Sequence, residues 1–363
     1  MSNLGALNTT NVPLVCRLGA LGDMVACTPA LKYLAEKSGH PCDVIAAGGW
    51  SSDLFAHLPY VGEVHVLKSR NKPYRLNPDK RHLVKSLKQR GVGPCWIFGQ
   101  NKHILPLLKR SGFVSQYIST PLTASEAVIH VGEEWLQVAA QQLSGSDSVL
   151  PLPDMDRVNW ELAVSEDERT DAEHWLAQRK LDVKNYVVMQ IGNKKTMRVG
   201  DPRRASNTKF WPAGHWAEVA RYIAQQHKIP VILVGTPHEG GLIDEVVSLA
   251  KNSLVLAAYQ DVGIRRLAAV LQLAHSCISV DTGPAHMAAA VDCPVLVLFG
   301  ETNPARDRPR STESIVQCIS GETSLPPSED LLEQQKSWAS WHGMGGIQTK
   351  AVLAEWEKYF SKR

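Results

Sequence analysis

At 363 residues the chain is too long for one ordinary core, and two domains of about 150 to 180 residues are expected. A hydrophobic content of 44% with 21% charged residues suits a soluble globular protein, and a net charge of +3 is too small to mark a nucleic-acid partner. The seven cysteines (16, 27, 42, 95, 277, 293 and 318) are scattered and never form a C-x-x-C pair, which argues against a disulfide framework or zinc site and fits a reducing cytoplasm.

From Val12 short apolar strands alternate with amphipathic stretches. Pro13 to Leu18 reads as a strand and Met24 to Lys37 as a helix; Cys42 to Ala47 is the next strand, followed by a helical Ser52 to His57. Val64–Leu67, Cys95–Phe98 and Val114–Ile118 are predicted strands, and Glu133–Leu143 a helix. Residues 68–90 hold nine Lys and Arg against a single acid, Asp79. Such a run is either a solvated face or a cradle for phosphate or carboxylate groups. Around 144–160, Ser-Gly-Ser-Asp followed by Pro151 and Pro153 predicts a linker.

The second half repeats the same grammar without repeating the sequence. Glu166–Lys180 is a predicted helix, with Ser165 and Glu168 in the capping-box pattern. Strands are predicted at 186–190, 231–234, 253–256, 277–280 and 295–299, with helices at 214–227, 239–251, 263–274 and 284–291 between them. A last amphipathic helix runs from Thr349 to Phe360. This order predicts an α/β protein with parallel sheets: residues 1–160 as one domain, 161–346 as the second, and 347–363 packing back on the first. No basic leader and no apolar run of about 18 residues is present, so no membrane span is expected.

Three places carry chemistry. In Leu18-Gly19-Ala20-Leu21-Gly22-Asp23 the glycines permit a sharp turn, and Asp23 stands at a helix mouth, either as a cap or as a carboxylate able to take a proton. The loop is neither G-x-G-x-x-G nor a Walker A sequence. Gly192 and Asn193 follow a strand, with Lys209 downstream as a point charge for a phosphate; Glu239 is either a helix-start acid or an acceptor for ribose hydroxyls. In Asp281-Thr282-Gly283-Pro284-Ala285-His286 a strand ends and a helix begins, a place suited to a diphosphate or, more plainly, to an N-cap, a turn and an exposed histidine.

Taken in order, these pieces resemble glycosyltransferase family 9, the ADP-heptose:lipopolysaccharide heptosyltransferases. The likeness runs from about 12 to 305 through the glycine loop, Lys209-Phe210-Trp211-Pro212, the Asp281–His286 block and Phe299-Gly300-Glu301-Thr302-Asn303-Pro304. It implies a GT-B fold, with two Rossmann-like domains facing a cleft. It also implies inverting, metal-independent transfer of a heptose or related sugar from an ADP-sugar to a lipopolysaccharide inner-core hydroxyl. Asp23 then matches the general base. Lys209, Asp281, Thr282, Gly283 and His286 match positions around the donor, as do Gly192 and Asn193, and Glu239 matches a ribose contact. No cofactor or metal is expected. Lys68, Arg70, Lys72 and Arg75 are candidates for the anionic glycolipid acceptor, which would bring a cytoplasmic protein to the inner face of the membrane.

The chain departs from the family pattern at three places. Residues 194–207 lengthen a normally short loop, Glu301 stands where proline is common, and 306–346 match nothing. These departures leave open another nucleotide-sugar or a non-lipopolysaccharide acceptor (protein, metabolite or nucleobase). A silent nucleotide-sugar-binding module is a separate alternative, against which Asp23, Lys209, Asp281 and His286 together argue.

Overall fold

The computed structural model describes residues 9–99, 102–120, 122, 128–146, 148–193, 207–300, 302–321 and 344–361. The chain forms two compact units, Met1–Ala163 and Val164–Arg363.

The first unit holds a parallel sheet of β1 (Leu14–Arg17), β2 (Cys42–Ala46), β3 (Val61–Val66) and β4 (Cys95–Ile97) in the order β3-β2-β1-β4. The central strands β1 and β2 are almost continuously buried, as parallel strands covered on both faces should be, while edge strand β3 is half exposed. The predicted helix from Met24 is two helices, Leu21–Ala26 and Thr28–Ser38, because Pro29 lacks an N–H and is tolerated only in a first turn.

The predicted strand at 114–118 is instead a 3-10 turn, Ser115–Tyr117. Tyr117 N–H bonds back to the Val114 carbonyl, and only Ile118 bridges to Cys95. The basic run contains a helix, Pro78–Arg90, capped by Asn77, whose side chain accepts from Lys80 N–H. Its apolar stripe of Leu83, Val84 and Leu87 is buried.

The residues read as a linker are a strap fastened to this unit. Tyr33 OH donates to the Leu150 carbonyl at 2.6 Å, Glu161 N–H donates to Thr28 Oγ1 at 3.0 Å, and Trp160 is fully buried.

The second unit is a parallel sheet of β5 (Val187–Gln190), β6 (Val231–Val234), β7 (Val255–Ala258), β8 (Ser276–Val280), β9 (Val295–Phe299) and β10 (Val316–Ser320), in the order β10-β9-β8-β5-β6-β7. Strand β10 lies in a segment for which no element was predicted; it pairs with β9 from Val316↔Val295 to Ser320↔Phe299. The core gathers Trp211 and Trp216 with Val187, Met189, Ile278 and Leu296.

The C-terminal helix Thr349–Tyr359 packs here, not on the first unit as expected. Its buried Val352 and Trp356, with Phe360 just beyond it, join this core, and Trp356 Nε1 donates to Ser276 Oγ at 3.2 Å. Trp211 Nε1 also donates to the Ile347 carbonyl at 3.0 Å, fixing the approach to the helix. Among the described residues no helix is long and apolar enough to cross a membrane.

Candidate functional site

In the second unit, Asp281 follows β8 directly and precedes the helix Gly283–Ala290. Its side chain is 5% exposed and surrounded by donors. Lys209 Nζ lies 2.6 Å from Oδ2 and 3.0 Å from the Asp281 carbonyl, the Thr302 hydroxyl donates to Oδ2, and His286 Nε2 stands 3.6 Å from Oδ1. Burial alone would raise the pKa of Asp281, but His286 and Lys209 outweigh it and hold the carboxyl well below the ordinary range. Lysine has three donors, so among the described residues two are spent on Asp281 and one is left on a side chain 29% exposed.

The turn into the helix leaves its first N–H groups without a side-chain cap. Thr282 holds the N-cap position, yet its hydroxyl donates back to the Val280 carbonyl at 3.2 Å, and Pro284 supplies no N–H. The structure therefore brings together Lys209, Asp281, Thr282, Gly283 and His286, and His286 is buried, not exposed.

Gly192 and Asn193 follow β5 and meet this group through Lys209. Asn193 Nδ2 donates to the Lys209 carbonyl at 3.2 Å, and Asn193 exchanges amide hydrogen bonds of 3.3 and 3.2 Å with Asn207. Asn207 also accepts from Lys209 N–H at 3.2 Å. Glu239 lies under Gly192, where a Cβ would sit 2.1 Å from its Oε1. Its carboxylate is buried and accepts from the Thr236 N–H and hydroxyl and from Gln190 Nε2. Burial raises its pKa against those hydrogen bonds.

At Gly300 a Cβ would fall 1.9 Å from the Thr208 carbonyl, so only glycine lets the Lys209 segment approach the end of β9. Residues 194–206 of the expected insertion, Glu301, and 322–343 with Trp338 and Trp341 lie outside the described residues.

In the first unit, Asp23 is the third residue of the helix Leu21–Ala26. Its Oδ2 accepts from Ala20 N–H at 2.9 Å, its Oδ1 lies 3.0 Å from Arg17 Nη2, and its side chain is 35% exposed. The capping role and an open carboxylate are thus both present. Lys68, Arg70, Lys72 and Arg75 are exposed in a loop that this unit pins firmly. Arg70 Nη1 donates to the Leu18 carbonyl at 2.7 Å, tying the basic loop to the glycine loop, while buried Lys80 donates to the carbonyls of Arg70 and Lys72 at 2.7 and 2.8 Å.

The sequence alone assigned no role to Arg17, Asn207 or Thr302. The signal for Arg17 was a charge ending an otherwise buried strand; for Thr302 it was the motif that contains it. Nothing local marks Asn207.

Residues 122–336 match glycosyltransferase family 9 (heptosyltransferase). The lipopolysaccharide core heptosyltransferase OpsX of Haemophilus influenzae is 28% identical over 209 residues, 55% of this chain and 54% of that one. The chain spans about a quarter to a half of the length of such curated relatives, 26% in one case and 54% in another. A glycosyl transferase of family 9 from Veillonella parvula superposes with a TM-score of 0.75 at 17% identity, covering 97% of this chain and 96% of that one. The ADP-heptose lipopolysaccharide heptosyltransferase II of E. coli gives 0.70 at 18%, covering 96% and 98%. These likenesses bear out the expected fold class, α/β of the GT-B type.

Proposed function

The chain belongs to glycosyltransferase family 9, and on that premise we propose that it transfers a heptose from ADP-heptose to a hydroxyl of a lipopolysaccharide inner-core acceptor, with inversion and without a metal ion. The observation that carries this reading is the group of Lys209, Asp281, Thr302 and His286 beside the uncapped start of the helix Gly283–Ala290.

In this reaction the acceptor oxygen bonds to the anomeric carbon, the bond from that carbon to the diphosphate oxygen breaks, and the acceptor proton passes to Asp23. The third Lys209 donor, the Thr282 hydroxyl and the backbone N–H groups at Thr282 and Gly283 stabilise the charge that grows on the leaving ADP. Asp281 is the anchor that aims Lys209 and does not face the phosphates as a bare charge, because its own charge is met by Lys209 and His286.

Gly192 and Asn193 keep the backbone close to the diphosphate, and Glu239 takes the ribose hydroxyls from beneath Gly192. Lys68, Arg70, Lys72 and Arg75 receive the anionic groups of the acceptor, and the Arg70 bond to the Leu18 carbonyl supports placing them by the loop that ends in Asp23. Their charge also favours an anionic lipid surface, at the cytoplasmic face of the membrane.

The test is incubation of the protein with ADP-heptose and heptose-deficient lipopolysaccharide in EDTA, following ADP release and acceptor mass. A mass gain of one heptose per acceptor is expected. Binding of ADP-heptose with no change in this acceptor would move the search to other acceptors, and failure to bind ADP-heptose would reject the donor assignment.

A further inference from the structure

Arg17 ends β1 as the one residue of that strand that is not fully buried. Strand β1 pairs with β4 through Cys16↔Ile97, which sets Phe98 beside it. Its guanidinium has three engagements. Nη1 donates to the Phe98 carbonyl at 3.0 Å, Nη2 meets Asp23 Oδ1 at 3.0 Å, and the plane lies 4.8 Å from the centroid of the Trp135 ring. Trp135 is itself stacked on Phe98, with centroids 5.5 Å apart and planes 16° from parallel.

Two glycines make the room. At Gly99, where φ is +84°, a Cβ would sit 2.4 Å from Nη1; at Gly19 it would sit 2.7 Å from both Arg17 Nε and the Asp23 side chain. Lysine offers a compact ammonium and no rigid planar fork, so it does not hold a carbonyl, a carboxylate and a ring face in this spread arrangement.

We infer that Arg17 is a positioning residue for Asp23, holding the carboxylate in the orientation that receives the acceptor proton. The inference rests on the assignment of Asp23 as base made above. Arg17 fixes one carboxylate oxygen and Ala20 N–H fixes the other at 2.9 Å, so the group cannot swing, while its 35% exposure leaves outward lone pairs open. Such restraint matters because a displacement of about 1 Å can cost on the order of 10²-fold in rate.

The experiment is steady-state transfer from ADP-heptose to heptose-deficient lipopolysaccharide by wild type, Arg17→Met, Arg17→Lys, Asp23→Asn and the double variant Arg17→Met with Asp23→Asn. Arg17→Met is expected to lower kcat about tenfold or more with the donor KM changed less than about twofold, and Arg17→Lys to recover only part of the loss. In the Asp23→Asn background Arg17→Met should alter the residual rate by less than about twofold, since no base is left to orient.

Trp135→Leu is the second variant, because it removes the shelf and retains the guanidinium. It should lower kcat by a smaller factor that does not add to that of Arg17→Met. An unchanged kcat in Arg17→Met, or an equal loss in both backgrounds, would overturn the inference. Full activity in Asp23→Asn would overturn the base assignment beneath it.

Discussion

Asp23 and Asp281 each stand where a strand of a parallel sheet gives way to a helix, and they are held in opposite ways. Asp281 is 5% exposed and meets Lys209, Thr302 and His286. Asp23 is 35% exposed and meets one guanidinium and one backbone N–H. A carboxylate saturated by donors in a buried place is kept ionised and cannot readily take a proton, so it serves as an anchor. A carboxylate restrained on one side and open on the other can accept one. The same residue type at the same topological place thus suits the two roles proposed above, separated by burial and by the number of donors.

The largest effect that would sharpen this contrast is on turnover. Asp23→Asn is expected to lower kcat by about 10²-fold or more while the melting temperature stays within a few degrees of wild type. Retained turnover would remove the contrast at its chemical end.

Next comes stability. Asp281→Asn leaves Lys209 without its counter-charge, and a loss of about 3 kcal/mol in chemical denaturation is expected, the low end for a broken buried pair because Lys209 is partly exposed. The pH dependence has a definite sign. The folded-state pKa of Asp281 is depressed, so its contribution is fully present above the ordinary Asp value of about 4 and is lost as the pH falls through the lower folded-state value. The gap between wild type and Asp281→Asn should therefore hold from neutral pH down to about 4 and close only in stronger acid. A gap that closed well above that range would contradict the anchored state.

The smallest effect is on the support. Gly300→Ala places a Cβ 1.9 Å from the Thr208 carbonyl and is expected to cost about 1–3 kcal/mol in thermal melts by pushing the Lys209 segment away. No loss would mean that this segment adjusts freely and does not aim the lysine.

The central strands were legible because burial on both faces writes an unbroken apolar run, as in Val231–Val234 and Val295–Phe299. The capping box at Ser165 and Glu168 was legible because both partners lie within one turn, and both hydrogen bonds are present at 3.3 and 2.9 Å. Strand β10 is only partly buried along its length, so it leaves little pattern. The helix Pro78–Arg90 hides its apolar stripe under charge.

The donor-side residues were readable as a motif because strand, turn and helix are contiguous there. The contacts that complete the sites were not. Arg17 reaches the Phe98 carbonyl across 81 positions, and Asn193 meets Asn207 across 14, so only tertiary structure reveals either. The C-terminal helix is amphipathic in the sequence, but an apolar stripe does not say which core it will join; Trp356 and Phe360 settle on the second unit.

The division of labour between the two aspartates is tested most directly by titrating ADP into Asp23→Asn and Asp281→Asn by calorimetry. Wild-type affinity is expected in Asp23→Asn and an affinity weakened about tenfold or more in Asp281→Asn, where Lys209 has lost its aim. Equal affinities in the two variants, or weakened binding in Asp23→Asn alone, would contradict it.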